Sequence, residues 1–280
     1  MGKGIKKEID REVPIVAIRG SVVFPHTDPV LTFGRPKSVA AINTSFKQDR
    51  VIAIFTQKNP RISDPGEDDL YKVGTIATIT QMMSTEGEVH AVVRGQARIK
   101  LKELKVSDPY LVGKITEISG KKEKSAEVKA LTKKLIELFK KAINLGKQAE
   151  IMTVMRIVSG QVESYELADQ VSSLLDIRTS EKQKLLETLS IKARLKKVIE
   201  IISHEVNVLD LERSISSKTQ KRFEDQMRKA MLREKKKTIE EELGEELGDM
   251  SSDEVANYKK KIGKAKMPKD VRKRAKKELI

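Results

Sequence analysis

The chain has 280 residues, of which 38% are hydrophobic, 35% charged and 4% aromatic, with neither Cys nor Trp. Without Cys there are no disulfides and no thiolate metal sites, and no apolar run approaches the roughly 20 residues that span a bilayer. The formal net charge of +15 is spread as +4 over residues 1–119, +6 over 120–204 and +5 over 205–280, which excludes a single basic arm; a solvated Lys-rich surface accounts for it, with weak binding of DNA or RNA as the alternative.

The opening stretch MGKGIKKEIDRE has no apolar segment and carries acidic residues. It reads as neither a secretory signal nor a transit peptide, so a cytoplasmic protein without a membrane segment is expected. Seven of the eight Pro and ten of the fifteen Gly precede residue 121, and neither type occurs between Gly160 and Gly244. The front is therefore rich in turns and the back helical.

The run 13–37, VPIVAIRGSVVFPHTDPVLTFGRPK, is the most heavily punctuated part of the front. Pro14 sits near a strand start, where its missing N–H costs little. Gly20 permits a turn, Pro25 and Pro29 bracket a stretch that cannot be helix, and Pro36 falls at a first helical position. Residues 51–55 form a short buried strand. Asn59-Pro60 and Asp64-Pro65-Gly66 mark a loop. Residues 73–82 alternate as a strand, 84–87 turn, and 89–93 return. Gly95 marks a second turn or a bulge before strand 97–101, and Asp108-Pro109 precedes a last strand ending near Ile115. Many short strands with one helix predict a closed or nearly closed sheet.

These residues resemble the Lon family of ATP-dependent proteases. The run 13–37 is similar to the opening of that family's N-terminal, substrate-binding domain. So are Gly74-Thr75-Ile76-Ala77 followed by Gln81-Met82-Met83, the stretch from Val92 through Arg94, Gly95 and Arg98 to Ile99, and the Asp108-Pro109-Tyr110 turn. The resemblance implies a PUA-like mixed β domain over residues 1–119.

Behind a charged linker at 121–124, Ser125 is the predicted N-cap of a helix with Glu127 in its first turn. Val128, Leu131, Leu135, Leu138 and Phe139 follow at helical spacing. Further helices are expected at 151–158 and 162–175, and Ser180 with Gln183 fits a capping box ahead of Leu185 and Leu186. Together they predict a helical bundle over 120–204. Ile191, Leu195, Val198, Ile202, Val206 and Leu209 then hold one steady apolar face. Beyond Ile215 the apolar residues Phe223, Met227, Met231, Ile239 and Leu243 stand at multiples of four. Each step of four advances about 40° around a helix, so this stripe spirals and cannot follow one partner for long.

One helix is expected from about 191 to 243, its front half packed and its back half projecting by roughly 45–50 Å. Gly244 is expected to end it, with a break at 248–251, a capping box from Ser251 to Glu254, and two short basic helices bracketed by Gly263 and Pro268. Residues 205–247 would be the distal part of a connecting helix, and 248–280 the lead into a further domain. This end also resembles Lon, in Asn207 to Glu212, Leu232-Arg233-Glu234 and residues 239–245, although Ala230-Met231 stand where many members have an aromatic pair. In that family a similar helix leads to the ATPase ring. The fold class expected is α+β: a PUA-like β domain, then a helical bundle ending in one long projecting helix and short basic helices.

No phosphate-cradling loop is found: Gly146-Lys147 and Gly263-Lys264 lack the earlier Gly and the following Ser or Thr of Gly-x4-Gly-Lys-Ser/Thr. Ser119-x-x-Lys122 matches a weak nucleophile pattern without its companion motifs. His26, His90 and His204 have no metal-ligand spacing. The resemblance implies that the ATPase motifs and the Ser-Lys dyad lie beyond residue 280, so ATP and Mg are expected only there and no catalysis within this chain.

What remains is apolar recognition. Met82, Met83, Phe223, Met227 and Met231 are the candidate substrate-binding residues, because Met is flexible and polarisable and suits surfaces that accept many sequences. Ordinary core packing is the competing reading. The partners implied by the resemblance are unfolded or damaged proteins and further copies of the chain, a hexamer in the full-length family. A nucleic-acid-binding protein and a purely structural oligomerisation module are the alternatives.

Overall fold

Period-two alternation in two neighbouring strands sets up both layers of the front of the molecule. The computed structural model describes residues 10–106, 108–120, 123, 125–265 and 267–278. The Lys residues of the 121–124 linker, and so Lys122 of the weak nucleophile pattern, lie outside them, as does most of the opening stretch. In β1 (Asp10–Ile18), Val13, Ile15 and Ala17 point one way and Val16 and Ile18 the other. β3 (Val51–Thr56) lies parallel to β1, pairing Ile15 with Ala53 and Ala17 with Phe55, and divides its side chains in the same manner. One set packs with Ala41 and Ile42 of α1 (Pro36–Lys47), the other with Ile99, Leu101 and Ile115.

The sheet closes because one strand is long enough to pair twice. β2 (Val30–Phe33), β4 (Val73–Thr85), β5 (Glu88–Val106) and β6 (Leu111–Glu117) complete six strands in the order β2-β5-β4-β3-β1-β6. The first part of β5 pairs with β2 and its last part with β6, so β1, β3, β4, β5 and β6 form a barrel that β2 flanks. The expected strands 89–93 and 97–101 are thus one strand, and Gly95 marks a bulge within it, where the register against β4 shifts between Ile76 and Ala77. Glu86-Gly87 makes the hairpin turn, with Gly87 at φ +85°.

The segment after β1 anchors the front to the back. The His26 N–H donates to the Gly95 carbonyl (2.9 Å), the Gly95 N–H to the Thr27 carbonyl (2.9 Å), and the Thr75 hydroxyl to the Val23 carbonyl (2.6 Å). Val23 faces the α1 side of the sheet, whereas Val22 and Phe24 enter the core of the helical bundle. Fully burying a side chain such as Phe24 contributes on the order of 2–3 kcal/mol.

That bundle comprises α2 (Ala126–Asn144), α3 (Ile151–Val158), α4 (Ser164–Leu174), α5 (Thr179–Glu187) and the first part of α6 (Ile191–Lys264). Leu135, Phe139, Leu167, Val171, Leu195 and Ile202 are fully buried within it. The Ser125 hydroxyl accepts from the Val128 N–H (3.2 Å), the expected cap. At α5 the expected cap is displaced: Ser180 lies inside the helix, and the Glu181 carboxylate accepts from the Arg178 N–H (3.1 Å). The reciprocal half of a capping box forms there without a hydroxyl at the N-cap.

The expected end of the long helix at Gly244 is wrong. Helical backbone continues through Gly244, Gly248 and the supposed Ser251 cap to Lys264, making α6 74 residues long. A glycine inside a helix costs about 1 kcal/mol, too little by itself to stop a continuous hydrogen-bond ladder. The stop comes next to Pro268, and among the described residues one short basic helix follows, α7 (Lys269–Glu278). The chain divides into two compact units, Met1–Leu211 and Glu212–Ile280. In the first, Ile191, Leu195, Val198, Ile202 and Val206 of α6 are buried; in the second, every residue from 212 to 243 is exposed.

Candidate functional site

Four of the five candidate residues are exposed to solvent. Met83, near the β4–β5 turn, is 63% exposed, while Met82 is half-buried against the α1 side of the sheet. Side chains alternate across a strand, so adjacent methionines face opposite ways. In the second unit Phe223, Met227 and Met231 are each about 60% exposed, and Leu232, Ile239 and Leu243 lie along the same helix in the same state. Core packing therefore does not account for the helix trio.

The sequence reading missed a surface of the same chemistry on α3. Ile151 (75% exposed), Met152, Met155 (64%) and Val158 share one face of that helix and remain in solvent, while Ile157 on the other face is fully buried. Residues at i, i+1, i+4 and i+7 share one side of a helix. The signal was present: six of eight residues in IMTVMRIV are large and apolar, more than one buried face of a short helix can use.

Between barrel and bundle lies a cleft of about 700 Å³ with a charged floor. Arg98 of β5 holds Asp169 of α4 through two hydrogen bonds of 2.9 and 2.6 Å, and its Nε donates to the Leu186 carbonyl (2.8 Å). The Arg194 Nη1 of α6 forms an ion pair with Asp169 Oδ1 at 3.4 Å without hydrogen-bond geometry, and the Arg194 Nε has no hydrogen-bond partner among the described residues. Burial pulls the Arg194 guanidinium down to about 10; Asp169 opposes that pull and Arg98 adds to it. The three residues lie far apart in the chain, so no local motif announces them. Among the described residues no group of three His, Asp or Glu is arranged to hold a metal, and no helix is long and apolar enough to cross a membrane.

A six-stranded sheet closed by one long strand, a bundle docked on it and uncovered apolar side chains define an α+β domain with exposed apolar surface. Residues 12–204 match the family model of the ATP-dependent protease La (LON) substrate-binding domain. The chain is 37% identical over 270 residues to a Lon protease of Syntrophomonas wolfei and 34% identical to one of Heliobacterium modesticaldum. Each match covers 96% of this chain and 33% of the relative, so the chain spans one third of their length. In fold it is similar to the N-terminal domain of the Mycobacterium avium complex Lon protease, with a TM-score of 0.55 at 24% identity, covering 69% of this chain and 98% of that one. The chain belongs to the Lon family, and its residues 12–204 are the family's substrate-binding domain.

Proposed function

We propose that the chain captures exposed apolar segments of unfolded or damaged proteins and delivers them to the ATPase and protease parts of a longer Lon polypeptide. The observation that supports this reading best is the uncovered apolar face of α3, carried by a domain that matches a substrate-binding family. Met83 and, in the second unit, Phe223, Met227 and Met231 supply further contacts of the same kind, with half-buried Met82 behind Met83. Burying three such side chains gains on the order of 4–8 kcal/mol gross, most of it offset by the cost of association. One chain then binds weakly, and several copies in a ring, a hexamer by the family's pattern, hold a substrate by avidity. In the same reading residues 1–119 and 120–204 form the recognition region, 205–247 the connecting helix and 248–280 the lead into the ATPase, which would hold ATP and Mg. The chain itself carries out no catalysis and works in the cytoplasm.

The double substitution Met152→Glu/Met155→Glu tests the α3 face. Both side chains already face water, so the melting temperature should move by no more than about 2 °C. Affinity for reduced, unfolded lactalbumin should fall about tenfold by fluorescence anisotropy; an unchanged affinity would remove α3 from the binding surface. Phe223→Gln/Met227→Gln/Met231→Gln keeps good helix formers in the second unit. Helicity by circular dichroism should be unaltered while binding weakens about fivefold. Full binding combined with a loss of self-association in light scattering would instead make this stripe an assembly contact.

A further inference from the structure

The floor of the cleft carries one positive charge more than it neutralises. Asp169 is satisfied by the two-point contact with Arg98, so Arg194 is a second guanidinium beside a carboxylate already in use. Arg194 is 4% exposed and lines the cleft; its Nη1 is ion-paired with Asp169 without hydrogen-bond geometry, and its Nε has no hydrogen-bond partner among the described residues. Two buried cations that share a single carboxylate are costly unless a second anion joins them.

The walls and the rim narrow the choice of anion. Pro25, Val128 and Ile191 give apolar lining, and the His26 and Tyr165 rings meet edge to face at 5.3 Å between centroids. Among the described residues the exposed rim carries Glu117, Glu123 and Glu163 against Lys129. Such a rim repels a polyanion and accepts a ligand with one negative charge at its tip and neutral or basic groups behind it. The volume of about 700 Å³ lies in the range that encloses a ligand of several residues rather than a lone ion.

We propose that this cleft binds the C-terminal carboxylate of an extended polypeptide, with its charge held at Arg194 and its last side chains against the apolar and aromatic wall. This rests on the reading of the chain as a polypeptide-binding domain and adds to it which part of the substrate is recognised there. Guanidinium and carboxylate are matched planar groups, and their charge-assisted hydrogen bonds are about twice as strong as neutral ones.

The test uses a fluorescein-labelled peptide, Lys-Lys-Ala-Gly-Leu-Phe, with a free C-terminal acid or a C-terminal amide, and the chain with and without Arg194→Met. That substitution leaves the Arg98–Asp169 pair intact and charge-balanced, so the variant is expected to fold, as its melting curve would verify. The acid should bind about tenfold more tightly than the amide, and Arg194→Met should abolish the difference. Acetate or inorganic phosphate at the peptide's concentration should not displace it. Equal binding of acid and amide, a difference that survives Arg194→Met, or displacement by either small anion each overturns the proposal. Unfolded lactalbumin measured in parallel separates the two readings: its binding persisting without an acid preference rejects the carboxylate site alone, and loss of both rejects polypeptide binding as well.

Discussion

Replacing Asp169 with Ala should lower the melting temperature of the chain by about 6–20 °C. The substitution leaves two guanidinium groups, Arg98 and Arg194, buried without their shared carboxylate. Breaking a buried ion pair from one side costs about 3–5 kcal/mol, and in a unit of this size each kcal/mol moves the midpoint by about 2–4 °C. Arg98 lies on β5 and Asp169 on α4, so the loss falls on the junction between barrel and bundle. A control separates the pair's net worth from the penalty of an orphaned charge. Arg98→Met/Asp169→Leu/Arg194→Met removes all three charges, and apolar replacement of buried ion networks is often neutral. The triple variant should therefore melt well above the single one. If it melts as low, the network contributes by shape and hydrogen bonding rather than by balancing charge.

Gly95→Ala is the second large effect. A Cβ at this position would lie 2.2 Å from the Phe24 carbonyl oxygen, 3.0 Å from its carbon and 3.2 Å from the Pro25 Cα. All three atoms are backbone and cannot rotate aside. The segment that seats Phe24 in the bundle would have to lift away from β5, losing the hydrogen bonds between Gly95 and the His26–Thr27 backbone. The expected cost is about 3–4 kcal/mol, the upper end for single substitutions. Hydrogen exchange at the His26 amide should accelerate ahead of the rest of the barrel. Gly34→Ala is the matched control, because its Cβ would meet only the Glu88 side chain at 3.6 Å; it should cost no more than about 1 kcal/mol. Equal losses at the two glycines would show that the close approach over Gly95 is not what holds the segment down.

The sequence made the front legible wherever chemistry is local. Pro36 opens α1, Ser125 caps α2, and the turn before Glu88 closes a hairpin, as residue type and spacing imply. The apolar period of Ile191 to Val206 identified the packed part of α6, and the step to multiples of four identified its exposed part. Non-local features were hidden. Nothing near Arg98 indicates that its partner stands 71 residues away on a helix. Val22 and Phe24 lie in the loop after β1, yet they fill the bundle, because a residue's destination in a two-layer fold depends on what docks against it. Gly244 is the opposite case: a local breaker counts for less than the continuous helix around it. The face of α3 went unnoticed because core and recognition surface have the same composition, and only burial tells them apart.

The most direct test of polypeptide capture observes the methionine methyl groups by NMR while unfolded lactalbumin is titrated in, with native lactalbumin as the reference. Capture through exposed apolar side chains predicts that Met83, Met152, Met155, Met227 and Met231 shift or broaden with the unfolded protein and stay unchanged with the native one. Half-buried Met82 should respond less than Met83. Methionine spectra that remain fixed, or that respond equally to native and unfolded lactalbumin, would contradict capture by these surfaces.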